Sequence, residues 1–384
     1  MKEHLFILGI FVTAYLVSDV LHLLMRRVSP MVGLCDKPDG LRRLQHCPVP
    51  KGSGFALLLT CVVLSVGYWI ITPETSHNLL LSGVHTIVFP VCLVLTTILG
   101  TFDDRYELPG SLKMFCQLVL VLLMANNGYL IENINLFQIN IPLGAFAVPF
   151  TIFWFLGAIN ALNLLDGIDG SAGIVSLMIT FGIAVIAALD HSNSILLFSV
   201  IIGGAICGFL RNNHPPARIY LGEAGVMFLA FALSALTIRI TTSNENTMHI
   251  LPAIGLWAIP VFDCGASLLR RILTRRGVFK GADRAHIHHR LLLACGSNGK
   301  AIAVLGTVQF ICSSAAACSM VMYWELPVFV ALLLTSVASI AFGIFGHKEI
   351  HFLVVRLQRI FHMRITPDSI KARNEEFHIQ GNLH

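Results

Sequence analysis

Charge is what this sequence has least of. Asp, Glu, Lys and Arg make up 12% of its 384 residues, about half the roughly 25% usual in soluble domains. With 55% hydrophobic residues and a mean hydropathy of +0.77, that shortage argues against a soluble enzyme and for an integral membrane protein. Cys-x-x-Cys pairs are also missing. The ten cysteines (35, 47, 61, 92, 116, 207, 264, 295, 312, 318) are scattered, mostly inside apolar runs, and read as reduced packing residues rather than a disulfide framework. No internal repeat of roughly 20–50 residues and no low-complexity tract is present.

What is abundant is apolar sequence. Runs near the roughly 20 residues needed to cross a bilayer fall at approximately 5–25, 53–71, 80–99, 112–131, 146–165, 171–189, 195–210, 225–241, 250–270, 301–320 and 326–346, of which 195–210 is the weakest. The first is too long for a signal-peptide core and lacks an Ala-x-Ala-like cleavage site, so a retained helix is expected. Alternate connections hold 24 of the 26 Lys and Arg; the other side has only Lys2 and Arg239. Since cytoplasmic loops carry the basic excess, the expectation is an all-α integral membrane protein of about 11 transmembrane helices, N-terminus outside and C-terminus cytoplasmic. One polytopic domain would span 1–350, followed by a basic cytoplasmic tail over 351–384.

That alternation gathers the polar residues capable of chemistry on the cytoplasmic face, leaving short, plain outer loops such as 132–140 and 242–248. In F102-D-D-R-Y-E-L-P-G-S-L-K113, adjacent Asp103 and Asp104 need a compensating cation, proton or water. They form either a metal or phosphate site or a solvated turn with Arg105 and Lys113 as counter-ions. In N160-A-L-N-L-L-D-G-I-D-G170, Asn160, Asn163, Asp166 and Asp169 recur every third residue. Such a row drifts around a helix, so these groups reach one cavity only if the helix breaks, which Gly167 and Gly170 permit. Polar groups at membrane depth are costly unless they face protein or water. In L210-R-N-N-H-P-P-A-R-I-Y-L-G-E-A-G225, Asn213 and Tyr220 are candidate nucleotide contacts. Glu223 is a hard oxygen ligand of the kind Mg²⁺ takes, or a solvated loop acid. In G281-A-D-R-A-H-I-H-H-R290, Arg284, His286, His288 and His289 supply donors and positive charge for a diphosphate, with zinc binding and a structural loop as the alternatives. Asp263, inside the ninth run, is either functional or an anchor for Arg270 and Arg271.

In this order and on one face, these stretches resemble the polyprenyl-phosphate N-acetylhexosamine-1-phosphate transferases, over roughly residues 26–295. N-x-x-N-x-x-D-G-I-D-G and A-D-R-x-H-I-H-H-R-L carry the resemblance, with looser support from C35-D-K-P-D39 and V49-P-K-G-S-G54. The resemblance implies a Mg²⁺-dependent transfer, with Mn²⁺ as a substitute, of N-acetylglucosamine 1-phosphate or a related sugar phosphate. The donor would be a UDP-sugar, the acceptor undecaprenyl phosphate and the leaving group UMP. The setting would be the bacterial inner membrane, at the first membrane step of a surface polysaccharide such as O-antigen, common antigen or teichoic-acid linkage. By matching positions, Asp103 and Asp104 would sit near the lipid phosphate, and Asn160, Asn163, Asp166 and Asp169 would line the nucleotide and metal site. Tyr220 would stack on uracil, Glu223 and Asp166 would bind the metal, and Arg284 and the histidines would contact diphosphate and sugar. The lipid bilayer is the further partner, a homodimer is compatible, and no nucleic acid is expected.

Two stretches depart from the family pattern. Gly-Asp-x-Gly-Ser reads G222-E-A-G-V226, and S53-G54 stands where two glycines are usual; Arg42, Arg43 and His46 are left unassigned. The first departure keeps a catalytically impaired binding scaffold open. An ion-coupled transporter is the alternative of another class, because broken helices with intramembrane acids also build transport sites.

Overall fold

A computed structural model describes residues 2–36, 48–71, 84–243, 246–273 and 286–342. In chain order its helices are α1 (Lys2–Met31), α2 (Ser53–Ile71), α3 (Val84–Tyr106), α4 (Gly110–Met124, continued by a π turn), α5 (Ala147–Leu165), α6 (Ser171–Leu189), α7 (Asn193–Asn213), α8 (Gly222–Thr241), α9 (Ile250–Leu256), α10 (Ala258–Leu273), α11 (Ile287–Cys295), α12 (Asn298–Met322) and α13 (Leu326–Ala341). Nine among the described residues, α1 to α8 and α12, are long and apolar enough to cross a membrane, and α9 with α10 makes a tenth if that broken pair is one span. The last expected run appears as α13, whose 16 residues fall short of a full crossing.

The core is organised around α8. Every residue from Ala224 to Thr241 except Arg239 is buried, and α2, α3, α5, α6 and α9 all pack on it. A helix apolar on all sides belongs inside a bundle, since lipid and protein neighbours are equally acceptable to it and only packing fixes its place. Its few polar groups are partnered: Thr237 Oγ1 accepts the Trp257 indole N–H at 3.0 Å, and the Ser234 carbonyl accepts that of Trp154 at 3.3 Å.

The weakest expected span, 195–210, is a complete helix of 21 residues, α7. Its glycines Gly204 and Gly208 are its contact with α1. A Cβ on Gly204 would meet the Phe11 carbonyl and Ala14, and one on Gly208 would meet Ser18. This is the small-residue packing through which membrane helices approach one another.

α9 and α10 meet at 91° around Trp257. A break at membrane depth frees backbone groups that must be satisfied from elsewhere. Gln309 of α12 does this: its Oε1 accepts the Ile259 N–H at 3.0 Å, and its Nε2 donates to the Leu256 carbonyl at 2.9 Å.

The connections at the end of α8 away from Glu223 are more ordered than the sequence suggests. Residues 132–140, expected to be a plain loop, fold into the hairpin β3 (Asn133–Leu136) and β4 (Ile139–Pro142), and β5 (Thr247–His249) adds parallel to β3. The hairpin turn has positive φ at Phe137 and Gln138, the geometry of a tight two-residue turn built without its usual glycine. Buried Glu325 compensates by accepting the Phe137 N–H. A second two-strand pair, β1 (Cys35–Asp36) with β2 (Val49–Pro50), lies at the opposite end. The nine described cysteines are all free.

Candidate functional site

The N-terminus of α8 is where the polar sequence stretches meet. Two glycines make room for it: a Cβ on Gly54 of α2 would fall 2.5 Å from the Ala224 carbonyl carbon, and one on Gly100 of α3 would fall 2.5 Å from the Ala224 Cα. Three helices can close on that first turn only because both positions lack a side chain. Gly222 has φ +70°, and a Cβ there would lie 2.6 Å from Asp104 Oδ2.

α3 runs on through the paired acids, so Asp103 and Asp104 lie in its last turn rather than in a loop. They face different partners. Asp104 accepts the Glu223 and Ala224 N–H groups, each at 3.0 Å, capping α8 from another helix where the exposed N–H groups and the dipole favour an anion. Asp103 accepts the Leu108 N–H and the Lys113 ammonium, both at 2.8 Å. Lys113 also reaches Glu223 Oε2 at 3.0 Å, and Glu223 Oε1 accepts the Asn163 amide at 2.7 Å. Both Glu223 oxygens are therefore engaged, one by a cation and one by an amide.

The Asn-Asp row behaves as its glycines require. α5 ends at Leu165 with Asp166 as C-cap, and Gly170, at φ +80°, starts α6. Asp169 accepts the Ala217 N–H at 2.9 Å. Asn213 spends its amide on stitching, accepting the Gly170 N–H at 2.7 Å and donating to the Ile219 carbonyl at 2.8 Å. Tyr220 is fixed through its backbone: its N–H donates to the Pro50 carbonyl and its own carbonyl accepts the Ser53 hydroxyl at 2.8 Å. The serine at the position usually glycine thus has a partner of its own.

These groups enclose a cavity of about 330 Å³ lined by Asp36, Lys51, Asp104, Asn163, Asp166, Gly167, Ile168, Asp169, Asn213, Tyr220, Gly222, Glu223 and Val226. Lys51 bridges Asp36 and Asp104 at 3.3 and 3.4 Å. Burial opposes its charge, but Asp104 and Asp36 outweigh it and hold its pKa above the usual lysine value. The Asp166 carboxylate has no hydrogen-bond or ion-pair partner among the described residues. Burial, then the negative charges of Glu223 and Asp104, raise its pKa well above the ordinary carboxylate range. Burial also raises the Tyr220 phenol, helped by Asp169, Asp36 and Asp166, so the ring is a neutral platform at neutral pH. No group of three His, Cys, Asp or Glu side chains spaced for a metal occurs among the described residues.

Other expected residues lie apart. Asn160 does not line the cavity; its amide donates to the Leu156 carbonyl of its own helix at 2.7 Å. His288 packs behind Gly167, 1% exposed, and neither ring nitrogen has a hydrogen-bond partner among the described residues. Burial and then His289 lower its pKa to about 3, leaving it neutral. His286 pairs with Asp263 at 3.1 Å, and the His289 ring lies 4.2 Å from that of His288, tilted by 50°. Arg284, Asp283, Arg42, Arg43 and His46 fall outside the described residues. Asp36 and Lys51 entered the sequence reading only inside their loop segments, and Lys113 only as a counter-ion. Single charges beside a turn, next to an apolar run, were their signal.

Residues 86–241 match the family described as glycosyl transferase family 4, a stretch that holds Asp104, Asn163, Asp166, Asp169, Asn213, Tyr220 and Glu223. Over 308 residues the chain is 28% identical to a probable undecaprenyl-phosphate N-acetylglucosaminyl 1-phosphate transferase of Bacillus subtilis (strain 168), covering 80% of this chain and 83% of the relative. It is 29% identical over 308 residues to undecaprenyl-phosphate alpha-N-acetylglucosaminyl 1-phosphate transferase of Escherichia coli (strain K12), covering 77% and 79%. It is 35% identical over 219 residues to phospho-N-acetylmuramoyl-pentapeptide-transferase of Streptococcus pyogenes serotype M1, covering 53% and 62%. With the acidic cavity among apolar helices, these define a phosphoglycosyl transferase embedded in a membrane. Within the chain, residues 86–241 are the stretch similar to glycosyl transferase family 4.

Proposed function

We propose that this enzyme transfers N-acetylglucosamine 1-phosphate from its UDP-sugar to undecaprenyl phosphate at the cytoplasmic face of a bacterial inner membrane, as the first membrane step of a surface polysaccharide. The observation that carries the proposal is the convergence of carboxylates, Lys51 and Tyr220 on one cavity at the N-terminus of a buried helix, with Lys113 paired to the lining Glu223. The two undecaprenyl-phosphate relatives match most of their own length, which supports this sugar and acceptor. The basic bias of alternate connections supports a site that opens to the cytoplasm and an N-terminus outside.

The chemistry exchanges one phosphoanhydride bond for another. A lipid phosphate oxygen bonds to the β-phosphorus of the donor, the bond from that phosphorus to the bridging oxygen breaks, and UMP leaves with that oxygen. The attacking phosphate is already anionic at neutral pH, so the task is charge neutralisation and alignment rather than proton removal. Asp104 and Asp103 suit a positioning role, since their oxygens are held by backbone N–H groups and by Lys51 and Lys113. Both lysines would face phosphate oxygens as substrate enters, and Tyr220 offers a ring face to uracil.

The residues fit a divalent cation. A partly buried, unpartnered Asp166 repelled by Glu223 and Asp104 is a place where positive charge is in deficit. Asp166 and Glu223 would hold the ion, with water and donor phosphates completing its shell. Mg²⁺ bound there supplies neutralisation of the phosphate charge.

Radiolabelled UDP-N-acetylglucosamine and undecaprenyl phosphate, incubated with the detergent-purified protein and Mg²⁺ and then Mn²⁺, test the proposal. A labelled lipid with release of UMP is expected. No lipid product with either metal would sink it for this sugar.

A further inference from the structure

Asp263 takes no part in the cavity. It is fully buried in the apolar α10, and a carboxylate survives at such a place only with partners. Among the described residues its partners come from another segment. Oδ1 accepts the Ile287 N–H at 2.8 Å, at the first residue of α11. Oδ2 lies 3.1 Å from Nδ1 of His286, the residue that caps the same helix.

A carboxylate has no proton to give, so Nδ1 of His286 is the donor, and in the uncharged form of the ring Nε2 is the acceptor. One acid therefore fixes both the start of α11 and the tautomer of its capping histidine. The constraint continues outward. The His286 and His288 rings are parallel within 1° at a centroid distance of 5.8 Å, and His288 lies so close to Gly167 that an added Cβ would overlap its Nε2. With no hydrogen bond to either ring nitrogen, His288 is seated by packing alone. Gly167 lies in the turn that carries Asp166 and Asp169, the two carboxylates that sequence spacing predicts and the cavity contains.

We propose that Asp263 is a positioning residue for the transfer site: by capping α11 and orienting His286 it seats His288 beneath Gly167 and so sets the relative placement of Asp166 and Asp169. The kinetic part of this proposal rests on the transferase reading, whereas its structural part does not. The side chain touches no reacting atom.

The test uses the full chain in detergent, labelled with ¹⁵N-histidine and with the His286 signals assigned by their loss in His286→Gln. In the wild type His286 is expected as the Nδ1-protonated tautomer. In Asp263→Asn the side-chain oxygen can still accept from Ile287, but the amide donates to the ring, so the tautomer should switch to Nε2–H. That variant should lose about tenfold in kcat, with KM for UDP-N-acetylglucosamine changed less than about threefold, because placement rather than donor binding is disturbed. Asp263→Glu, which keeps the charge, should recover part of the loss. An Nε2–H tautomer in the wild type, or an Asp263→Asn kcat within about twofold of wild type, overturns the proposal. A wild type showing the expected tautomer but no turnover fails the transferase reading alone, and the tautomer switch in Asp263→Asn then decides the positioning role.

Discussion

Glu223 reconciles the sequence departure with the geometry around it. Its carboxylate spans from the Asn163 amide to the Lys113 ammonium, a reach that depends on the methylene an aspartate would lack. Glu223→Gln removes the charge at nearly constant size, and its turnover in the radiolabel assay is expected to fall at least about 100-fold, a loss of roughly 2.7 kcal/mol in transition-state stabilisation. Glu223→Asp keeps the charge and gives up one of the two contacts. An intermediate loss is expected, and activity above wild type would show that the longer side chain is not tuned to its site. Asp166 is the opposite case, a carboxylate whose environment opposes its charge. Because its folded pKa is raised, the ionised form weakens the folded state at neutral pH, and that penalty disappears as pH falls through the raised pKa. Asp166→Asn should therefore abolish turnover yet raise the melting temperature of the metal-free protein, by about 2 °C for each kcal/mol relieved. The gap from wild type should be widest near pH 8 and close on acidification. A variant that melts lower than wild type at pH 8 would contradict this. Asn163, Asp166 and Asp169 were legible because a three-residue polar period inside an apolar run has few structural explanations. Lys113 was legible as a counter-ion to the adjacent acids, but its reach to Glu223 and the pairing of Lys51 were not, because a single cation near a turn looks the same whether it faces water or a carboxylate from another helix.

At the scale of elements, close approach at glycine is what assembles the site. Gly100 lets α3 touch the backbone of Ala224, and the atoms in the way of a Cβ there, Ala224 Cα and N and the Glu223 carbonyl oxygen, are all main-chain. They cannot move without shifting the first turn of α8. Gly100→Ala should cost about 1–3 kcal/mol, read as a lower melting temperature in detergent, with a larger loss of turnover than of stability because Asp104 rides on the same turn of α3. Full activity in that variant would mean that the two helices can separate without cost. The helices themselves were readable from apolar length. What length could not register was the hairpin of residues 133–142, whose turn has no glycine signal. The break between α9 and α10 escaped notice for a related reason. The residue that makes it affordable, Gln309, lies about 50 positions away in α12.

For the molecule as a whole, the burial of α8 has a mechanical consequence. A lipid-facing helix tilts or shifts when its hydrophobic length and the membrane thickness disagree, but α8 is solvated by protein along almost its entire length. Asp104, Lys113 and Asn163 all take their bearings from its first turn, so thickness changes should be absorbed by outer helices such as α1 and α4 before they reach the carboxylates. In vesicles whose acyl chains step from 14 to 20 carbons, changing the hydrocarbon thickness by roughly 5–10 Å, kcat is expected to vary less than about threefold. A steep optimum at one chain length would mean that α8 moves with the bilayer. A centre insulated in this way would let one enzyme work unchanged as its host remodels its membrane lipids.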